Sequence, residues 1–88
     1  MKVEAYSIDE IRTAVRDARK AQGLTQARAA ALSGLTRKWL SDFERGHTDP
    51  PLSLALRLLI TLGLKVSLES RVAAAAQREG IDDSGEGL

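Results

Sequence analysis

Two short helical signals meet at a glycine within residues 24–46, which read LTQARAAALSGLTRKWLSDFERG. Thr25 is a good N-cap for a first helix, and Gly34 is the residue type that most often ends one. Thr36 then offers a second N-cap, and Gly46 stands where the second helix would stop. Isolated helices shorter than about 12 residues are marginal in water, so both must pack on neighbours. The pattern is typical of a helix-turn-helix.

The second predicted helix has two chemically different faces. At about 100° per residue, its apolar face carries Leu40 and Phe43. The opposite face is basic and hydrogen-bonding, and it comprises Arg37, Lys38, Ser41 and Arg45. A helix with Arg and Lys in its first turn suits the major groove of B-DNA, where these side chains bind guanine O6 and N7. A charged face exposed only to solvent is the alternative, because such faces are common.

A longer helix is predicted before this pair. Ser7, with Glu10 three residues later, forms a capping-box sequence, and an apolar stripe follows at helical spacing until Gly23. The stripe consists of Ile8, Ile11, Val15 and Ala18, and in the next helix Ala29, Ala30 and Leu32 are expected to face inward.

The C-terminal half predicts a dimer. The helix expected between Pro51 and Gly63 is apolar on nearly all sides, and the part that cannot face the core needs another cover. Residues 64–70, LKVSLES, alternate apolar and polar side chains as a half-buried strand does. A single strand needs a hydrogen-bonding partner, and pairing with its copy in a two-fold dimer supplies one. Another helical turn or plain coil is the alternative. The predicted interface residues are Leu56, Leu59, Leu64, Val66 and Leu68.

Composition restricts the classes of function. The 88 residues are enough for one small domain, in which dimerisation would add buried surface. There is no cysteine, and His47 is the only histidine, so neither a disulfide framework nor a metal site is expected. No serine or aspartate is placed beside a base that would activate it, so we expect no enzyme, no catalytic residue and no cofactor. The N-terminus lacks a signal-peptide pattern and no stretch could span a bilayer, which predicts a cytoplasmic protein without membrane contacts.

Charge is distributed unevenly along the chain. Its formal net charge is +1, but residues 19–47 hold six basic against two acidic groups, net +4. Residues 77–88 hold one basic and four acidic groups, net −3. The middle segment therefore favours a polyanionic partner, and the acidic end favours something else.

Residues 24–46 resemble the helix-turn-helix of the phage-repressor (Cro/C1, or XRE) family. Within that family the chain is most similar to HipB-like antitoxins, through an aromatic residue in the recognition helix, the segment LITLGLKVSLES at 59–70 and its small size. The resemblance implies a lambda-repressor-like fold of four to five helices, all-α with one short C-terminal β-strand that pairs across a dimer. The implied organisation is a DNA-binding domain over 1–63, a dimerisation strand over 64–71 and a flexible acidic tail over 72–88.

The resemblance also implies roles for particular residues. In the family, residues at the positions of Arg19 and Glu44 form a largely buried ion pair, although two unrelated surface charges are the alternative. Gln26 matches a glutamine that touches the DNA backbone, and its amide at a helix start suits a phosphate; an ordinary helix-start residue is the alternative. Asp42 departs from the family's neutral or basic base reader, so it either accepts from cytosine N4 or orients Lys38 or Arg45. The full set of expected DNA-binding residues is Gln26, Arg28, Thr36, Arg37, Lys38, Ser41, Asp42, Arg45 and His47.

The function implied by the resemblance is that of an antitoxin. Such a protein would bind a palindromic operator on double-stranded DNA as a homodimer, repress its own operon and bind a HipA-like serine/threonine kinase toxin. Ile81 and Leu88 would be the apolar anchors of the tail towards the toxin. The alternatives are a stand-alone repressor of the same family and a protein-interaction module that does not bind DNA.

Overall fold

The computed structural model describes residues 2–72 and contains four helices. These are α1 (Ile8–Ala21), α2 (Gln26–Ser33), α3 (Arg37–Glu44) and α4 (Leu52–Thr61). The fold of this part of the chain is all-α, and each helix begins and ends within a residue or two of its predicted bounds. The four-helix part of the expected fold is therefore confirmed.

The first three helices begin at the predicted caps. The side chains of Ser7, Thr25 and Thr36 each accept a hydrogen bond from the backbone N–H three residues later, at 3.3, 3.0 and 3.0 Å. Each bond satisfies one of the free N–H groups of the first turn. Pro51 precedes α4 without a side-chain cap, and its fixed φ of −57° suits a helix start.

The turn between α2 and α3 depends on Gly34. Its φ of +71° lies in the left-handed region that a residue with a Cβ rarely adopts. Gly34 N–H donates to Ala31 O at 3.2 Å and Leu35 N–H to Ala30 O at 2.8 Å, which is the Schellman pattern of helix endings. The chain is thereby redirected so sharply that α3 begins at Arg37, as a helix-turn-helix requires.

The core lies where α3 packs against α1 and α2, and where α2 packs against α4. Its largest fully buried side chains are Phe43, Leu40, Leu58 and Val15. The expectation that Leu32 faces inward is wrong, since its exposed fraction is 49%. Ser33 takes the inner position instead, where its hydroxyl donates to Ala29 O at 2.8 Å, so the buried polar group is satisfied.

The strand predicted over residues 64–70 is not formed within residues 2–72. Beyond Leu64, no backbone group of this segment is hydrogen-bonded to another described segment, and Val66 and Leu68 are 51% and 95% exposed. The physical reason is that a strand exists only through hydrogen bonds to a neighbour, and the described chain places no second extended segment beside this one.

The predicted dimer residues fall into two groups. Leu59 lies in the core with only 8% exposure, and Leu56 and Leu64 are half-buried against the same core. Leu59 therefore presents little surface outside its own chain, because intrachain packing uses that side of α4. The free apolar surface of α4 is instead formed by Leu52 and Ile60, which are 73% and 69% exposed.

Two further expectations concern the ends and the environment of the chain. The acidic tail, with Ile81 and Leu88, lies outside the described residues except for its first residue. Among the helices of residues 2–72, none has both the length and the apolar content needed to cross a bilayer.

Candidate nucleic-acid interface

The polar face of α3 points away from the core. Arg37 and Lys38 are exposed, while Leu40 and Phe43 on the opposite face are fully buried. Trp39 lies between the two faces and stacks on Phe43, with ring centroids 5.5 Å apart and an interplanar angle of 11°. This stacking holds the indole at the edge of the core. The two basic side chains of the first turn are exposed beside it.

Lys38 and Asp42 form an ion pair along the outer face of α3. Lys38 Nζ lies 2.9 Å from Asp42 Oδ2, and the two side chains are 86% and 30% exposed. The hydrogen bond from Lys38 lowers the pKa of the Asp42 carboxyl; partial burial opposes this shift, and the charges of Lys38, His47 and Arg45 add to it. Of the roles considered for Asp42, this geometry corresponds to the orientation of Lys38.

A buried ion pair joins the ends of α1 and α3. Arg19 Nε and Nη2 donate to the two carboxylate oxygens of Glu44 at 2.7 and 3.0 Å, and the side chains are only 10% and 4% exposed. Arg19 Nη1 also donates to Leu24 O at 2.8 Å, in the loop that leads to α2. The bidentate geometry fixes α3 relative to α1 and to the start of α2.

Gln26 connects this ion pair to the start of α2. Its amide Nε2 donates to Glu44 Oε1 at 3.1 Å, and the residue is half-buried. One amide hydrogen is thus directed at Glu44, which leaves the second hydrogen for another acceptor. Gln26 is also the first residue of α2, where backbone N–H groups are free to bind an anion.

The remaining predicted DNA contacts lie around α3. Arg28 is exposed on α2, and Arg45 and His47 are exposed in the loop after α3. Thr36 is exposed and its hydroxyl already accepts the N-cap hydrogen bond, while Ser41 is half-buried on α3. No group of three or more potential metal ligands occurs among residues 2–72, and His47 has no such cluster around it.

Arg12 is a buried residue that the sequence argument missed. Its exposed fraction is 6%, and its guanidinium lies over the Phe43 ring, 5.0 Å from the centroid. A signal was present, because Arg12 lies seven residues before Arg19, two turns away on the same face of α1. An apolar stripe defined by hydrocarbon side chains such as Val15 does not include an arginine, although the methylene groups of Arg12 pack in the same way.

The part of the chain that contains the helix-turn-helix also matches a known protein family. The profile of the Helix-turn-helix family matches residues 15–68, more than half of the sequence. The chain belongs to the Cro/C1-type (XRE) helix-turn-helix family. Proteins of this family similar to the chain are transcriptional regulators rather than enzymes.

Curated relatives agree with this assignment. An uncharacterised HTH-type transcriptional regulator of Sinorhizobium fredii is 32% identical over 80 residues, which cover 91% of this chain and 41% of the relative. The HTH-type transcriptional regulator PuuR of Escherichia coli is 45% identical over 49 residues, covering 56% of this chain and 26% of PuuR. An uncharacterised HTH-type transcriptional regulator of Methanothermobacter thermautotrophicus is 42% identical over 53 residues, covering 60% and 77%. The chain thus spans less than half the length of the first two relatives.

Solved structures resemble the helix-turn-helix chain over most of its length. A HipB variant in its O2 20mer complex superposes with a TM-score of 0.72 and 25% identity, covering 81% of this chain and 99% of that one. A chain named MDT Protein superposes with a TM-score of 0.71 at 24% identity, covering 80% and 99%, and this likeness concerns the fold alone.

Proposed function

We propose that the chain is a sequence-specific DNA-binding regulator that inserts α3 into the major groove. The observation that carries the proposal is the division of α3 into a buried face, with Leu40 and Phe43 at 0% exposure, and an exposed face that begins with Arg37 and Lys38. Arg and Lys at the start of a recognition helix can bind guanine O6 and N7, and this contact distinguishes base pairs.

The residues around α3 would bind the DNA backbone. The start of α2 at Gln26, the exposed Arg28, and the loop residues Arg45 and His47 offer N–H groups and positive charge to phosphates. Thr36 and Ser41 are hydroxyl donors beside the base readers. Asp42 would keep the Lys38 ammonium in place through their 2.9 Å contact. These contacts predict an affinity that falls steeply as salt concentration rises.

A pair of arginine variants distinguishes base-specific contacts from general electrostatic attraction to DNA. Arg37→Ala and Arg28→Ala each remove one positive charge from an exposed side chain, so an electrostatic effect alone would weaken binding equally. We expect Arg37→Ala to relax sequence preference by about 1–3 kcal/mol, and Arg28→Ala to weaken all duplexes alike and reduce the salt slope by about 1.

The probes for this test are the DNA upstream of the chain's own gene, measured by footprinting and gel shift, and a random-sequence duplex. Gln26→Ala is a third variant and should weaken both probes about equally, because it contacts phosphate in this scheme. Loss of sequence preference in Arg28→Ala with preference retained in Arg37→Ala would reverse the assignment. Absence of binding to both probes at low salt would favour a protein-interaction module.

We further propose that two copies associate through their C-terminal halves. Ile60 on α4 and Val66 and Leu68 in the segment after it are 69%, 51% and 95% exposed, so three large apolar side chains of this half of the chain are left uncovered within the described residues. Residues 64–70 keep their strand-like alternation, and a second copy of that segment would supply the missing hydrogen bonds. The two α3 helices would then enter successive major grooves about 34 Å apart.

Adjacent residues provide matched variants for the dimer. Leu68→Glu places a charge on the apolar side of the alternating segment, whereas Ser67→Glu places the same charge on the polar side. Sedimentation at micromolar concentration should show a dimer for the parent chain and Ser67→Glu, and a shift towards monomer for Leu68→Glu. A monomeric parent chain, or equal behaviour of the two variants, would contradict the proposed interface.

The finer proposal is that the regulator is an antitoxin which represses its own operon and binds a HipA-like serine/threonine kinase. Its support is the HipB likeness, with a TM-score of 0.72 over 99% of that chain. Ile81 and Leu88 would contribute apolar contacts to the kinase from the acidic tail. The second candidate is a stand-alone repressor, which the similarity to PuuR supports over 56% of this chain.

The adjacent reading frame separates these two functions. A kinase encoded there should co-purify with the full chain and be inhibited by it, and truncation after Gln77 should weaken the complex. Unchanged toxin affinity after truncation would remove Ile81 and Leu88 from the interface. If no adjacent frame encodes a kinase, the stand-alone repressor is favoured.

A further inference from the structure

Arg12 links three separate parts of the structure. Its Nη1 donates to the carbonyl oxygen of Phe43, in the last turn of α3. Its Nη2 donates to Asp49 Oδ1 at 2.8 Å, in the loop that leads to α4. Its Nε lies 3.2 Å from Asp9 Oδ1, in the first turn of α1, as an ion pair without hydrogen-bond alignment. One guanidinium therefore ties α1 to the end of α3 and to the next loop.

The surroundings of Arg12 make this link rigid. The side chain is 6% exposed and packs over the buried Phe43 ring, so it is held in one place on both apolar and polar sides. A cation at the C-terminus of α3 also interacts favourably with the helix dipole. Asp49, in contrast, is 91% exposed, so water competes for it and the loop is held only as firmly as this contact allows.

The loop anchored in this way carries two of the proposed phosphate contacts. Residues 45–51 join α3 to α4, and Arg45 and His47 are exposed within them. His47 N–H donates to Asp42 O at 2.8 Å at the start of the loop, and Asp49 fixes it two residues later. Because the loop is already held at these two points, it loses less conformational entropy when it binds DNA.

We propose that Arg12 is a positioning residue for DNA binding, which holds the end of α3 and the 45–51 loop against α1 in the geometry that phosphates require. This inference rests on the proposed function. Arg12 itself is buried over the Phe43 ring and acts on DNA only through the groups that it holds.

The two carboxylates that share Arg12 provide a matched comparison. Asp9→Asn and Asp49→Asn each neutralise an exposed side chain paired with Arg12, at 86% and 91% exposure. Each removes one negative charge, which by itself strengthens attraction to DNA to a similar extent. Only Asp49→Asn weakens the hold on the loop, because Asp9 lies on the same helix as Arg12 and the Asn amide oxygen accepts a weaker hydrogen bond from the guanidinium than a carboxylate does. We expect the full chain with Asp49→Asn to bind upstream DNA about two- to fivefold more weakly than Asp9→Asn does.

Amide hydrogen exchange in the free protein gives a readout that is independent of DNA. We expect the His47 amide to exchange about two- to fivefold faster in Asp49→Asn, and at the parent rate in Asp9→Asn. Arg12→Met, which keeps the apolar packing on Phe43 but loses every polar link, should show a larger effect on the same amide. The melting temperature of Arg12→Met is measured as well, and hydrogen exchange and DNA binding are both measured well below that temperature.

The outcomes separate the inference from the function on which it rests. If the parent chain binds no DNA while Asp49→Asn accelerates exchange at His47, the proposed function fails and the anchoring contact stands. If the parent chain binds and the two aspartate variants bind equally, Arg12 has no positioning role. Faster exchange in Asp49→Asn without a loss of affinity overturns the inference as well.

Discussion

Replacing Glu44 by alanine probes the contact that joins α1 to α3. The Glu44 carboxylate accepts three hydrogen bonds, two from Arg19 at 2.7 and 3.0 Å and one from Gln26 at 3.1 Å. The Glu44 side chain is 4% exposed. Alanine would leave the Arg19 guanidinium, itself 10% exposed, with the Leu24 carbonyl as its remaining partner. An uncompensated buried charge is the main source of the expected loss.

The expected cost is about 3–5 kcal/mol in free energy of unfolding, the range found when one member of a buried pair is removed. For a domain of this size, about 1 kcal/mol corresponds to roughly 4–8 °C, so the melting temperature should fall by at least about 12 °C. Urea denaturation and thermal melts followed by circular dichroism measure both quantities. Glu69→Ala is the matched control, because Glu69 is exposed and its loss should leave the melting temperature almost unchanged.

A double variant distinguishes the buried charge from lost packing. Arg19→Met combined with Glu44→Leu removes both charges and keeps side chains of similar volume, so it should be less destabilised than Arg19→Ala or Glu44→Ala alone. The reasoning is refuted if Glu44→Ala melts within a few degrees of Glu69→Ala. It is also refuted if the double variant loses as much stability as the two single variants together.

Two further predictions concern the turn and the outer face of α3. Gly34→Ala should lower the free energy of unfolding, measured by urea denaturation, by about 1–2 kcal/mol, because the φ of +71° is unfavourable for a residue with a Cβ. The added Cβ would meet only Arg57 Nη1, at 3.7 Å, so the loss comes from the backbone and not from a clash. An unchanged denaturation midpoint would contradict this prediction. The Asp42 carboxyl should titrate below its ordinary pKa of 3.8 in a carbon-detected NMR titration, and Lys38→Met should raise that pKa. Since the folded-state pKa is lowered, the pair's contribution to stability is present above the unfolded pKa and is lost as pH falls through the lowered value; equal titration in both proteins would contradict the pairing.

Local signals in the sequence were sufficient for the helices. Ser7, Thr25 and Thr36 each supply an N-cap oxygen, and the Gly34 turn follows from the conformational freedom of glycine, so neither feature depends on distant residues. The position of Phe43 in the core also followed from helical periodicity, because a period of 3.6 residues separates the two faces of α3.

Features that depend on packing between elements were harder to predict. Leu32 is exposed and Leu59 is buried, because the packing of neighbouring helices decides which part of an apolar side is covered, and periodicity within one helix does not give that packing. Arg12 became buried because Phe43 and Asp49, far away in sequence, give its guanidinium a ring and a carboxylate. The strand predicted over 64–70 is not formed within residues 2–72, and its hydrogen-bonding partner in the proposed dimer would be a second copy of the segment.

Selection from a pool of random duplexes tests the central claim most directly, because it reads sequence preference and symmetry together. The full chain is incubated with the pool near physiological salt, and bound duplexes are amplified and sequenced over successive rounds. We expect an enriched inverted repeat whose half-site centres lie about 10–10.5 base pairs apart, one turn of the duplex. Enrichment of no common sequence, or of a single half-site without its symmetric copy, would contradict a dimer that reads DNA through two copies of α3.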